Sequence, residues 1–193
     1  MPRLALFASG NGSNAQRIIE YFTGHPSITT GLVLCNKPDA FVLQRAQNLH
    51  VPSFVFSRKT FYETDEIPAL LEMNQIDFLI LAGFLWLIPV NLLNLYRNRI
   101  INIHPALLPK FGGKGMYGMK VHEAVFAAGD RESGITIHHV NERYDEGGIL
   151  FQAKCPVSDN DTPQSLAEKV HVLEYRYYPE VIEQVVLQGQ GMV

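Results

Sequence analysis

The sequence predicts an α/β fold: one domain on a mostly parallel central sheet, with helices on both faces and an antiparallel edge in the C-terminal half. Three observations predict it. Short runs rich in Leu or β-branched residues recur through residues 1–100, segments with helical spacing lie between them, and two strand-like runs follow one another closely after Ile103. Runs apolar enough for burial on both faces, alternating with helices, argue for parallel strands joined by right-handed crossovers.

In order, the strand signals of the first part are LALFA at 4–8, GLVLC at 31–35, SFVF at 53–56, FLIL at 78–81 and IINI at 100–103. Helices are expected between them at 15–22, 41–49, 67–73 and 89–96, which makes this part Rossmann-like. After Ile103 the rhythm changes. A loop rich in Gly and Pro leads to a helix at 120–128, then to strands at 134–140 and 149–157. The turn at 141–148 joining these strands is short, so they are expected to pair antiparallel at one side of the sheet. A last helix at 163–188 opens with Asp161-Thr162-Pro163, where Thr162 can cap and Pro163 suits the first turn. No repeat or low-complexity linker divides the chain. We expect one domain over 1–193, with a phosphate-binding half at 1–100 and a catalytic half at 101–193.

A length of 193 residues with 47% hydrophobic content supports a sizeable core. A net charge of -3 supplies no basic excess for phosphate-backbone binding, so nucleic acid is not an expected partner. Cys35 and Cys155 have no CxxC spacing, which argues against a zinc site or a disulfide framework and makes a reducing cytoplasm the expected location. The start MPRLALFASG lacks the pattern of an export signal. The most apolar window, FLILAGFLWLIPVNLL, is broken by Gly83 and Pro89, so no membrane span is expected. The apolar face of 84–96 suits either core or a homodimer contact.

The first strand runs into Ser9-Gly10-Asn11-Gly12-Ser13-Asn14-Ala15 and then a helix. Glycines let the backbone turn sharply beside an anion, and free N–H groups at a helix start bind it. The string also fits the dinucleotide pattern G-x-G-x-x-A, but a dinucleotide site needs an acid ending the second strand, and that strand ends in Cys35-Asn36-Lys37. A terminal monophosphate near Ser13 and Asn14 is the favoured ligand. A glycine turn that merely caps the helix remains the alternative.

His104 follows a strand directly and precedes Pro105, at the carboxyl end where open α/β sheets bind ligands. Asn102 lies two residues earlier, so both side chains project to one face. An amide and a protonated imidazole so placed can stabilise an oxyanion, and an imidazole needs a nearby carboxylate to stay protonated at neutral pH. Asp145, in the turn YDEGG, is the candidate acid, with a turn-capping role as the alternative. His25, His50 and His139 read as structural histidines. His104, His122 and His138 show no metal-ligand spacing, and no G-x-S-x-G elbow marks a serine nucleophile.

Taken together, SGNGSN after the first strand, LAGF at 81–84, INIHPALLPKF at 101–111, SGITIHHV at 133–140 and YDEGGILFQ at 144–152 resemble the phosphoribosylglycinamide formyltransferases, in the same order and over almost the whole chain. The NIHP and D-x-G pieces are shared across the wider formyltransferase superfamily, whereas SGNGSN points to the acceptor. The resemblance implies a formyltransferase fold and formyl transfer from 10-formyltetrahydrofolate, as co-substrate and without a metal, to the amine of glycinamide ribonucleotide in purine synthesis. It implies that Gly12, Ser13 and Asn14 hold the substrate phosphate, that Asn102, His104 and Asp145 are catalytic, and that Glu174, one turn from His171, lies on the substrate side. It implies a folate pocket lined by Leu85, Trp86, Leu87 and Ile88 together with Asn102, and the half at 101–193 is expected to be folate-facing as well as catalytic. Arg58 and Lys59 fall near a basic folate contact. Trp86 stands where many relatives carry a basic residue, and the loop GGKGMYGMKVHEAV is longer than is common. His122 matches a histidine opening the next helix. The wider superfamily also includes a deformylase that uses water and an enzyme that acts on methionyl-tRNA; both usually carry a second domain. A non-catalytic NAD-binding module is a third reading.

Overall fold

Seven strands form one sheet in the order β3-β2-β1-β4-β5-β6-β7. The computed structural model describes residues 1–189. The strands are β1 (Arg3–Ala8), β2 (Thr29–Cys35), β3 (Ser53–Val55), β4 (Phe78–Leu81), β5 (Ile100–His104), β6 (Glu132–His139) and β7 (Ile149–Pro156). The first five run parallel, while β5 with β6 and β6 with β7 pair antiparallel. The expected mixed sheet is therefore present. It carries two antiparallel ladders at that side, because β6 reverses against β5 as well as against β7.

The helices are α1 (Ser13–Phe22), α2 (Phe41–Asn48), α3 (Arg58–Glu63), α4 (Glu66–Met73), α5 (Val90–Leu95), α6 (Met119–Ala127) and α7 (Pro163–Gly189). The alternation of each central strand divides its apolar residues between two cores. Leu4, Leu6, Ile80, Ile101 and Ile135 pack with Ile18 of α1, Val125 of α6 and Ile182 of α7 on one face. Ala5, Phe7, Leu34, Leu79 and Ile100 pack with Phe61, Leu71 and Leu92 from α3, α4 and α5 on the other. Tyr178 of α7 is fully buried, and its hydroxyl proton is shared between the carbonyls of Leu81 at 3.0 Å and Ile101 at 3.1 Å. That contact ties the last helix to the carboxyl end of β4 and to the start of β5.

The strand order reverses at β1, with β2 on one side and β4 on the other. Such a switch point leaves a crevice beyond the carboxyl ends of the strands. In the segment 84–96, Phe84, Ile88, Leu92, Leu93 and Tyr96 are core, and Val90 and Leu95 remain exposed. Among the described residues no helix is long and apolar enough to cross a membrane.

Candidate active site

A cavity of about 620 Å³ opens at the carboxyl ends of β1, β4 and β5. Ser13 and Asn14 line it at one end, Leu85, Trp86, Leu87 and Ile88 at another, and Asn102, His104 and Asp145 also line it. Residues far apart in sequence thus share one wall.

The phosphate-loop expectation rests on local geometry. Gly12 ends the loop with φ 76°, and a β-carbon there would lie 2.4 Å from Val42 Cβ of α2, so both conformation and space require glycine. α1 has no side-chain cap. Gln16 N–H bonds back to the Gly12 carbonyl at 2.9 Å, which leaves the N–H groups of Ser13, Asn14 and Ala15 without an intrahelical partner. Asn14 spends its side chain elsewhere, donating from Nδ2 to Glu174 Oε2 at 3.0 Å. Its main-chain N–H therefore stays available to an anion.

Glu174, on α7, is buried at the cavity wall. Burial raises its pKa, opposed by the Asn14 hydrogen bond and by His171, whose Nε2 lies 3.9 Å away. A carboxyl so placed is a strong acceptor for hydroxyl donors from a ligand.

Asn102 and His104 lie two residues apart on β5, with His104 its last residue rather than the one after it. Across the ladder Asn102 faces His138 and His104 faces Thr136. His138 donates from Nδ1 to the His139 carbonyl at 2.7 Å, so its Nε2 accepts from Asn102 Nδ2 at 3.1 Å. This fixes the Asn102 amide with its second N–H free. Burial pushes the His138 pKa down. A neutral His138 makes no ion pair with Asp145, 3.7 Å from its Nε2.

His104 is almost fully buried. Its Nε2 donates to the Phe111 carbonyl at 2.8 Å, and its Nδ1 lies 3.5 Å from Asp145 Oδ2. That oxygen also accepts from Gly113 N–H at 2.9 Å. The turn carrying Asp145 closes tightly: a β-carbon on Gly147 would sit 1.6 Å from the His139 carbonyl oxygen, so only glycine fits. Buried Thr136 secures the loop after His104, donating to the Ala106 carbonyl at 2.7 Å while accepting from Leu108 N–H at 2.9 Å.

The strip 85–88 is held from behind. Leu85 N–H donates to Ser9 Oγ at 3.1 Å, Tyr62 donates to the Leu87 carbonyl at 2.8 Å, and Phe84 and Trp86 pack on Phe56 and Phe61. Such aromatic contacts add about 1 kcal/mol each beyond area burial. Arg58 and Lys59 do not line the cavity. They belong to α3, where the Arg58 guanidinium lies 4.9 Å from the Tyr62 ring centre and 5.5 Å from that of Trp86, while Lys59 is exposed. Trp86 thus meets both Arg58 and the cavity. The loop at 112–118 lines the cavity through Lys114, Met116 and Tyr117. His122, buried and without a partner for Nδ1, also lines it, and burial lowers its pKa to about 4.

His138, Thr136 and the Phe111 carbonyl were not singled out for these roles from sequence. The period-2 alternation of ITIHHV held a signal for the first two, since Thr136 and His138 share a face. Among the described residues no cluster of His, Cys, Asp or Glu is arranged to hold a metal ion.

A Rossmann-like sheet whose switch-point cavity joins a helix start to an amide, an imidazole and a carboxylate defines an α/β protein suited to acyl-group chemistry. The formyl transferase family matches residues 2–182, and the chain belongs to that family. It is 37% identical over 197 residues to the phosphoribosylglycinamide formyltransferase of Bacillus subtilis, covering 99% of this chain and 98% of the relative. It is 45% identical over 186 residues to the chloroplastic phosphoribosylglycinamide formyltransferase of Arabidopsis thaliana, covering 93% of this chain but only 64% of that longer relative. The crystal structure of the phosphoribosylglycinamide formyltransferase of Bacillus halodurans superimposes with a TM-score of 0.87 at 34% identity, covering 98% of both chains.

Proposed function

We propose that this protein transfers a formyl group from 10-formyltetrahydrofolate to the amine of glycinamide ribonucleotide, releasing tetrahydrofolate, as a step of purine biosynthesis. The observation that carries the reading is one cavity holding both a phosphate-type helix start at Ser13–Asn14 and the Asn102–His104–Asp145 group. The relatives' names point the same way.

In this reading the N–H groups at the start of α1, with Gly12 making the turn, hold the phosphate, and Glu174 accepts from the ribose. The strip Leu85–Ile88 receives the flat pterin, its apolar side chains and backbone groups suiting such a ring. Arg58, stacked over Trp86, is the cation for the anionic tail of the folate, with Lys59 next to it on α3. The substrate amine attacks the formyl carbon. The spare N–H of Asn102 and the Nδ1–H of protonated His104 donate to the oxygen as it gains charge, while Asp145 balances the imidazolium and orders a water through which the proton leaves the amine. Collapse of the intermediate returns the carbonyl and expels the folate nitrogen, which takes up a proton. Two buried, unpaired cysteines suit a reducing compartment, and the cytoplasm is our reading.

A steady-state assay of tetrahydrofolate release tests the proposal. Release that requires glycinamide ribonucleotide is expected. Release at the same rate without the ribonucleotide would assign the site to hydrolysis instead.

A further inference from the structure

Phe111 adopts φ 56°, a left-handed conformation unfavourable for a residue with a β-carbon, and Gly113 follows at 93°. The Phe111 side chain packs on the first core, so the segment is anchored as it turns. The turn aims the Phe111 carbonyl at His104 Nε2, 2.8 Å away. A carbonyl only accepts, so Nε2 carries a hydrogen whether the ring is neutral or charged. Neutral His104 therefore has a bare Nδ1, and this is the nitrogen that faces Asp145 Oδ2 at 3.5 Å. Two acceptors facing each other repel, and a proton on Nδ1 turns that contact into an ion pair.

The next two residues hold the carboxylate. Gly113 N–H donates to Asp145 Oδ2 at 2.9 Å, and a β-carbon on Gly112 would lie 3.3 Å from Asp145 Cβ and 2.4 Å from Leu108 Cδ2. Asp145 is itself at φ 59°, so both sides of the contact use left-handed backbone. Other titratable groups near His104 are His138 of β6 and His122 of α6, both with pKa values lowered by burial. Asp145 is the charge that faces the ring.

We infer that residues 111–113 form a backbone clamp on the catalytic histidine. The Phe111 carbonyl keeps the hydrogen on Nε2, so His104 donates to a developing oxyanion only as the imidazolium and only through Nδ1, while Gly113 N–H locks the carboxylate beside it. The role at the oxyanion rests on the formyl-transfer reading; the tautomer does not.

The test is a long-range proton–nitrogen NMR correlation on protein with 15N-labelled histidine, recorded without substrate above the histidine titration range. A His104→Gln spectrum identifies the His104 signals. A protonated Nε2 with a bare Nδ1 is expected, and a ring with its hydrogen on Nδ1, or a mixture, overturns the clamp. Because this readout needs no turnover, it decides the tautomer even if formyl transfer is not the activity. In Gly112→Ala we expect kcat to fall by about a hundredfold through misplacement of the pair, KM for both substrates to stay within about twofold, and His104 to become a tautomer mixture. Wild-type kcat and pH profile in that variant would also overturn the clamp. Should it fail to fold, the wild-type spectrum stands as the decisive measurement.

Discussion

In the proposed reaction a single imidazole carries the central role because its two nitrogens meet different partners. Nε2 of His104 is tied to a carbonyl, Nδ1 faces Asp145, and the residue lines the cavity. His104→Ala is expected to lower kcat by a factor of ~10²–10³, or about 3 kcal/mol, for the loss of one oxyanion donor. Turnover close to wild type would remove His104 from the mechanism. Asp145→Asn removes the charge that faces His104 Nδ1 and should lower kcat by roughly tenfold or more; an unchanged kcat would reduce Asp145 to a turn residue. His122 makes a stability prediction instead. Its pKa falls from 6.5 to about 4 on folding, because burial penalises the charged ring. Between those values the unfolded chain binds a proton that the folded chain refuses, so stability is full above pH 6.5, falls as pH drops toward 4, and stops falling below that. His122→Asn should remove roughly 3 kcal/mol of that acid-side loss, read as a shallower fall of Tm with pH. A parallel fall in the two proteins would count against a buried neutral His122. Asn102, His104 and Asp145 were legible in the sequence because two share a strand face and the third sits in a glycine turn. His138 and the Phe111 carbonyl were not, since one depends on strand register and the other on a backbone angle.

The start of α1 shows how an element makes a site. Gly12 turns the chain into the helix against Val42, the first N–H groups stay free, and Asn14 is locked to Glu174 across the sequence. Replacing Ser13 and Asn14 by Ala should raise KM for the phosphorylated substrate by roughly tenfold and leave KM for the folate nearly unchanged. Equal effects on both would argue against a phosphate loop. The central strands were legible at this scale because double-sided burial writes continuous apolar runs such as FLIL. The helix α3 was not: RKTFYE spans 6 residues, too few for periodicity, and its signal is the Ser57 side chain accepting from Thr60 N–H. That helix gives Arg58 its place over Trp86, outside the cavity lining, a position that the resemblance alone does not specify.

Across the whole molecule, one sheet brings two sequence regions to one cavity. The parallel part supplies the glycine turn before α1 and the strip 85–88, and the antiparallel ladders bring Asp145 and His138 to the end of β5. The alternation of strands and helices predicted this architecture, but Ala167, His171 and Glu174 of α7 also line the cavity, and a helix signal does not say where the helix docks. The proposed reaction joins a formyl donor to a phosphorylated amine in this cavity. It is tested most directly by following the fate of the formyl carbon, with 13C-labelled 10-formyltetrahydrofolate and glycinamide ribonucleotide and product analysis by NMR. The label is expected to appear as a formamide on the ribonucleotide in step with tetrahydrofolate release. Label recovered as free formate, with the ribonucleotide unchanged, would contradict it.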